Sequence, residues 1–439
     1  MNIVKTKSNG VFFDYKRCLL YFLFIIYSGT SLFAATLFQE QQSIQTFSEF
    51  KGTVVDSKSK APLSFATITV DDTNISTITN SNGEFLLKVP NELVDNSITI
   101  SFLGYQVKTI PLSNLNGDNI QILLEESAMQ LSEVKINVPK DARSLVKTAL
   151  DKKGEHYFNE ETIMTAFYRE TIKKRRRDAS LSEAVVEIYR EPYTSSKSDK
   201  IKLIKARKST DYNRLDTLAV KLQGGPFSAL YADMIKYPEY TFPENNLSEY
   251  EFSFDKPTEI NDRSVYVVNF KARPEFYHPL YYGKLYIDAE TFVLISAIYN
   301  LNVDNREMAA KMFVRKKPNR VTVYPTEAAY RVDYRIKDGK WFYGYSNLQL
   351  TMKVNWKGKL FNSVYTLSSE MAVTDWARSF NDSFTRKETL RPTVILSDEA
   401  SGFSDPDFWG EYNIIEPEKS IESAIDKINR QMKRRIRNE

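Results

Sequence analysis

The stretch Ile75-Ser-Thr-Ile-Thr-Asn80-Ser-Asn82-Gly83-Glu-Phe85-Leu-Leu-Lys-Val-Pro90 holds two runs rich in β-branched and apolar residues on either side of Asn82-Gly83. Asn-Gly between such runs is the strongest short-range hairpin signal, because a type I′ turn needs φ > 0 at both central positions. Upstream, Phe50-Lys-Gly52-Thr-Val-Val-Asp56 and Pro62-Leu-Ser-Phe-Ala66-Thr-Ile-Thr-Val70 repeat the alternation, and downstream so does Ser97-Ile-Thr-Ile-Ser-Phe-Leu-Gly104-Tyr105. Short alternating runs at even spacing, broken by Asn, Asp, Gly and Pro, predict an antiparallel β-sandwich.

The pattern Gly52-x-Val54-x-Asp56, Pro62-Leu63, Ala66, Thr79, Asn82-Gly83-x-Phe85 and Phe102-x-Gly104-Tyr105 resembles the carboxypeptidase regulatory-like domain over residues 48–125. The resemblance implies a seven-stranded transthyretin-like sandwich of the kind found at the N-termini of exported Bacteroidetes proteins. It implies no catalysis, since in metallocarboxypeptidases a separate zinc domain carries the reaction. The His-x-x-Glu…His constellation of that domain is missing, His156 and His278 being isolated from one another. Neither carboxypeptidase activity nor a cofactor is expected.

Residues 1–35 read as a secretory signal peptide. Lys5, Lys7, Lys16 and Arg17 precede the apolar run Cys18-Leu-Leu-Tyr-Phe-Leu-Phe-Ile-Ile-Tyr27, and small residues follow to Ala34-Ala35. That run is shorter than the roughly 20 residues a membrane-spanning helix needs, so no transmembrane span is expected after cleavage. Removing this segment takes four of the 60 basic and one of the 56 acidic residues, leaving a nearly neutral chain without cysteine. Such a chain suits an oxidising compartment. The balance excludes a dedicated nucleic-acid binder, which needs a basic excess. One Cys and two His in 439 residues exclude a disulfide framework and a Cys- or His-rich metal centre.

Residues 126–140 read as a connector, and 141–415 as a larger β-rich domain. Ala142 to Tyr157 places Leu145, Val146, Ala149 and Leu150 on one helical face. Alternation then begins at Ile163 and continues through Lys173-Lys-Arg-Arg-Arg177 to Ala184-Val-Val-Glu-Ile-Tyr189, which places the basic run at a β-hairpin tip. Further strands are expected at 265–270, 283–288, 293–299, 329–334, 341–345, 348–354 and 363–370, with Asp338-Gly339 as another hairpin turn. Such a meander predicts a curved antiparallel sheet. Residues 195–260 read as an irregular insertion. The segment Tyr266-Val-Val-Asn-Phe270 with Gly283-Lys-Leu-Tyr-Ile-Asp288-Ala-Glu-Thr291 is similar to the lipoprotein-carrier (LolA/LolB-like) half-barrel. That resemblance spans approximately 140–375 and implies a cavity for acyl chains or another apolar ligand. Phe403 to Gly410 reads as a turn presenting aromatics, and 416–439 as an amphipathic C-terminal helix.

The fold class expected is therefore mainly β: a seven-stranded sandwich, a larger half-barrel-like sheet and a few helices. Two groups are candidate partner or ligand contacts. Phe276, Tyr277, His278, Tyr281 and Tyr282 would form an aromatic platform, and Lys173, Lys174, Arg175, Arg176 and Arg177 would meet anionic lipid. No catalytic residue stands out: Ser144-Leu-Val-Lys147 lacks its partner motifs, and Gly224-Gly225-Pro226 lacks the Lys of a phosphate loop. The expectation is an exported, non-enzymatic binding or scaffold protein, periplasmic or outer-membrane-associated. Its sandwich would engage an envelope protein or glycan, and its sheet a lipid, another apolar ligand or a protein. The alternatives are an envelope hydrolase with a dispersed site, betrayed by cleft acids of raised pKa, and an accessory partner of a TonB-dependent transporter.

Overall fold

The computed structural model describes residues 46–115, 120–127, 141–210, 222–242, 247–315, 317–358, 360, 362–378, 385, 387–402 and 408–418. The signal peptide, nearly all of the connector and nearly all of the C-terminal helix expected from the sequence lie outside them. The described residues are mainly β, in two small sheets and one large open sheet.

The small sheets face each other as a sandwich. One has the order β4 (Glu84–Pro90), β1 (Phe47–Asp56), β7 (Ile120–Leu124). The other has the order β3 (Ser76–Ile78), β2 (Thr67–Val70), β5 (Ser97–Ser101), β6 (Lys108–Pro111). Alternate residues of both pack into one core, with Val54, Ile68, Val70, Leu87, Val89, Ile98 and Ile100 all buried. The Asn82-Gly83 expectation needs correcting in one respect. Only Gly83 has positive φ, at 73°, and the chain closes by a Gly83 N–H to Asn80 carbonyl bond of 3.0 Å. The turn does not join neighbouring strands; it carries the chain from β3 in one sheet to β4 in the other. At the second site both positions are left-handed, Asp338 at 51° and Gly339 at 73°, and a two-residue hairpin forms as expected.

The large sheet begins with the hairpin β8 (Thr162–Lys174) and β9 (Arg177–Arg190), followed by β10 (Lys200–Thr210). The next strands are β11 (Tyr250–Phe254), β12 (Thr258–Ile260), β13 (Arg263–Ala272), β14 (Tyr281–Asp288) and β15 (Leu294–Leu301). The long β16 (Val321–Lys337), β17 (Lys340–Trp356) and β18 (Ser363–Arg378) close the series, with a short β19 (Ser401–Gly402). Their spatial order is β11-β13-β14-β15-β16-β17-β18-β8-β9-β10-β19, with β12 beside β13. Pairing of β18 with β8 brings the last long strand back beside the first hairpin. The region read as an insertion contains β10, whose run Lys-Ile-Lys-Leu-Ile-Lys-Ala has too little apolar alternation to stand out.

Each face of this sheet is covered by different parts of the chain. The inner face receives the helix Ala142–Asp151, started by Asp141, whose carboxylate accepts from the Ser144 N–H at 2.8 Å. It also receives residues 226–242, which bury Phe227, Leu230, Met234, Ile235 and Phe242 against Tyr168, Val186, Val268 and Tyr334. The outer face carries the sandwich and a C-terminal strap, residues 408–416. Trp409, Ile414 and Ile415 bury with Ile78 and Leu86 of the sandwich and Phe167, Val185 and Tyr345 of the sheet. Trp409, expected to be presented to solvent, is 3% exposed and meets Phe167 edge-on at 5.4 Å.

Candidate binding cleft

Alternation places Arg331, Asp333, Arg335 and Lys337 of β16 on its outer face, toward the sandwich. There they meet the outward residues of β2 and β5, and a cleft of about 440 Å³ lies between the two walls. The sandwich wall presents the hydroxyls of Thr67, Thr69, Thr99 and Ser101, the carboxylates of Asp71 and Asp72, and the rings of Phe65 and Phe102. The sheet wall adds Ser296 and the Asn261-Asp262 turn.

Most of these groups are fixed by partners. Arg331 Nε donates to Asp333 at 2.7 Å, and its guanidinium lies 5.5 Å and 5.9 Å from the Phe65 and Phe102 ring centroids. Ser296 holds the other Asp333 oxygen at 2.6 Å, and Thr99 donates to Asp71 at 2.6 Å. Lys337 Nζ donates to the Thr73 carbonyl at 3.2 Å. Arg335 is different. Its Nη1 donates to Ser76 Oγ at 2.6 Å and to the Val373 carbonyl at 2.8 Å, but Nε and Nη2 have no hydrogen-bond partner. Burial pushes this guanidinium down to about 10, and Asp333 offsets only part of that.

On the inner face Arg190 meets carboxylates instead. Arg190, 2% exposed, donates to Asp199 at 2.7 Å and to Asp233 at 2.6 Å. Tyr237 donates to Asp199 at 2.7 Å and Tyr334 to Asp233 at 2.8 Å, so both carboxylates are further satisfied. Burial disfavours the Arg190 charge, yet Asp199 and Asp233 outweigh it and hold the guanidinium well above its ordinary value. Glu170 also faces inward, beside Tyr168, whose hydroxyl donates to it at 3.1 Å. Burial pushes its carboxyl up to about 8, and hydrogen bonds offset only part of that. This raised acid is not among the cleft residues.

The structure places the two predicted groups as follows. The aromatic residues do not converge. Tyr281 and Tyr282 are consecutive on β14 and point to opposite faces. Tyr281 packs edge-on against Tyr299 and Tyr330 at 5.5 Å and 5.6 Å, whereas Tyr282 is 45% exposed. Phe276 packs on the inner core, Tyr277 is 83% exposed, and His278 Nε2 lies 3.3 Å from Glu249. The basic run does sit at a hairpin tip, with Arg175 left-handed at φ 55° and Arg175, Arg176 and Arg177 exposed. Lys173 is drawn aside toward Asp178 and Glu418, at 3.7 Å and 3.8 Å, and Lys174 lies over the Tyr365 ring. The cleft escaped the sequence reading because its walls are about 230 to 270 positions apart; the charged alternation Arg331-x-Asp333-x-Arg335-x-Lys337 was its one visible trace.

Among the described residues, no group of three or more His, Cys, Asp or Glu is placed to hold a metal ion, and no helix is long and apolar enough to cross a membrane. No curated protein matches this sequence. Among solved structures, a DUF1329 family protein from Desulfovibrio piger is similar over 56% of this chain and 96% of its own, at 9% identity and TM-score 0.23. A LolA superfamily protein from Nitrosomonas europaea is similar over 54% and 95%, at 11% identity and TM-score 0.20. Lipovitellin is similar over 57% of this chain and 28% of its own, at 7% identity and TM-score 0.27. Likeness at this level says nothing of ligand or activity. At the N-terminus, residues 50–136 match the CarboxypepD_reg-like domain family, as the turn and strand motifs implied.

Proposed function

We propose an exported, non-enzymatic binding protein of the cell envelope that holds a polar, hydroxyl-rich ligand of the glycan class between its sandwich and its large sheet. The cleft carries this reading. Hydroxyls, carboxylates and guanidinium groups surround two phenylalanine rings in a space of about 440 Å³, the mixture of apolar surface and convergent polar groups that ligand sites favour. Side chains of both hydrogen-bonding signs address hydroxyls. The inner face, where an apolar ligand was expected, is occupied by residues 226–242, so such a ligand would have to displace them.

Titration calorimetry with envelope-derived oligosaccharides, beside native mass spectrometry with lipid extraction, tests the reading. The expected result is binding of a defined oligosaccharide that the near-isosteric pair Thr69→Val and Thr99→Val weakens about tenfold or more, one or two lost hydrogen bonds. Binding unaffected by that pair, or a stoichiometric acyl species with no glycan bound, sinks the cleft reading.

A further inference from the structure

Three segments far apart in sequence end together at one end of the large sheet. They are the β8–β9 tip, the β15–β16 connection and the β17–β18 tip. The Arg175 N–H donates to the Val364 carbonyl at 2.8 Å, and the Lys357 N–H to the Arg320 carbonyl at 3.0 Å. Register does the rest: Val321 pairs with Trp356, Val354 with Ser363, and Tyr365 with Lys174. Neighbouring strands lie about 4.8 Å apart, so the ends of β16, β17, β18, β8 and β9 form a front about 20 Å wide.

This front is basic. The first tip exposes Arg175, Arg176 and Arg177; the connection exposes Arg315, Lys317 and Arg320; the second tip exposes Lys357. Of the nearby acids, Asp178 and Glu418 face Lys173 at 3.7 Å and 3.8 Å, and Glu307 faces Lys311 at 3.0 Å. Apolar side chains project among these cations. Leu360 at the second tip is 95% exposed. Met308 and Met312, one turn apart on the helix Arg306–Phe313, are 38% and 49% exposed.

The geometry points to a docking surface for an anionic lipid bilayer, with arginines and lysines at the headgroup phosphates and Leu360 entering the acyl boundary. Charge complementarity selects an anionic partner. The projecting leucine selects a membrane over a soluble polyanion, since cations combined with apolar residues are what interfacial binding requires.

Vesicle co-sedimentation of the full chain on phosphatidylcholine, with and without 30% phosphatidylglycerol, tests the proposal. The apolar run at 18–27 is common to all variants, so differences between them report this end alone. The wild type is expected to prefer the anionic vesicles at least tenfold. Each cation removed should cost about fivefold, so R175N/R176S/R177S should bind about a hundredfold more weakly. Asn is used at 175 because it tolerates left-handed φ. R315S/K317S, on a different segment, should lose about 25-fold and stands in if the first variant misfolds. Leu360→Ser should lose up to tenfold. Equal binding to both vesicles, or retention by both cation variants, overturns the proposal. So does a Leu360→Ser protein that binds like wild type while heparin displaces it from vesicles, which would assign the front to a soluble polyanion.

Discussion

Two buried arginines of the large sheet are paired in opposite measure. Toward the inner face, both terminal nitrogens of Arg190 are taken by aspartates, each held by a tyrosine hydroxyl. Toward the sandwich, Arg335 donates through Nη1 to Ser76 and the Val373 carbonyl, and its buried Nε and Nη2 find no partner among the described residues. A closed ionic network fixes the register of a core, because any slip strands a charge. Arg335 holds a buried charge that no carboxylate among the described residues closes. By this comparison Arg190 locks its site, whereas Arg335 is a charge only partly compensated beside the cleft.

The largest way to break the contrast is Asp233→Ala. It leaves Arg190 with one carboxylate and orphans the Tyr334 hydroxyl, and should cost about 3–5 kcal/mol. Urea unfolding should show a lower midpoint at unchanged slope; a loss under 1 kcal/mol would mean that the network is not closed. Next is pH. Glu170 has a folded pKa of about 8 against an ordinary 4.5. Between these values the folded chain holds a proton that the unfolded chain has released, so stability falls as pH rises. Below about 4.5 both states are protonated; above about 8 both are ionised and the penalty is constant. The slope attributable to Glu170 should approach about 1.4 kcal/mol per pH unit and vanish in Glu170→Gln, as read from melts across pH 4 to 9.

A smaller effect is expected at the strap. The Asn413 amide accepts from the Lys88 N–H at 2.7 Å and donates to the Lys88 carbonyl at 2.9 Å, copying a ladder pair. Asn413→Ala orphans both backbone groups and should cost about 1–3 kcal/mol, with faster amide exchange along β4. The smallest stability effect belongs to Arg335→Met. Replacing an incompletely paired buried charge by an apolar chain should change stability by less than about 1 kcal/mol, as read from urea unfolding. An effect as large as that of Asp233→Ala would erase the distinction between the two arginines.

What could be read from sequence followed the range of the interactions. The sandwich was legible because turn chemistry at Asn80–Gly83 and β-branched alternation are local, and the same holds for the Asp141 cap and the Asp338-Gly339 hairpin. Even so, Asn82-Gly83 announced a turn without saying which sheets it would connect. The strap left no local trace, since Trp409 becomes a core residue only through Phe167 and Arg207, more than 200 positions away. The inner network joins Arg190, Asp199 and Asp233, which in sequence are three ordinary charges. Tyr281 and Tyr282 misled because adjacent aromatics on a strand cannot share a face.

β16 is 17 residues long, and Val321 at its basic end stands ten residues from Arg331 in the cleft. At about 3.3 Å per residue the two lie some 30 Å apart, several times the roughly 8 Å screening length of physiological salt. Salt in the surrounding solvent thus separates the exposed charges of the two ends electrically. Charge gained or lost at one end should go unfelt at the other, so ligand capture and surface attachment can change independently by substitution.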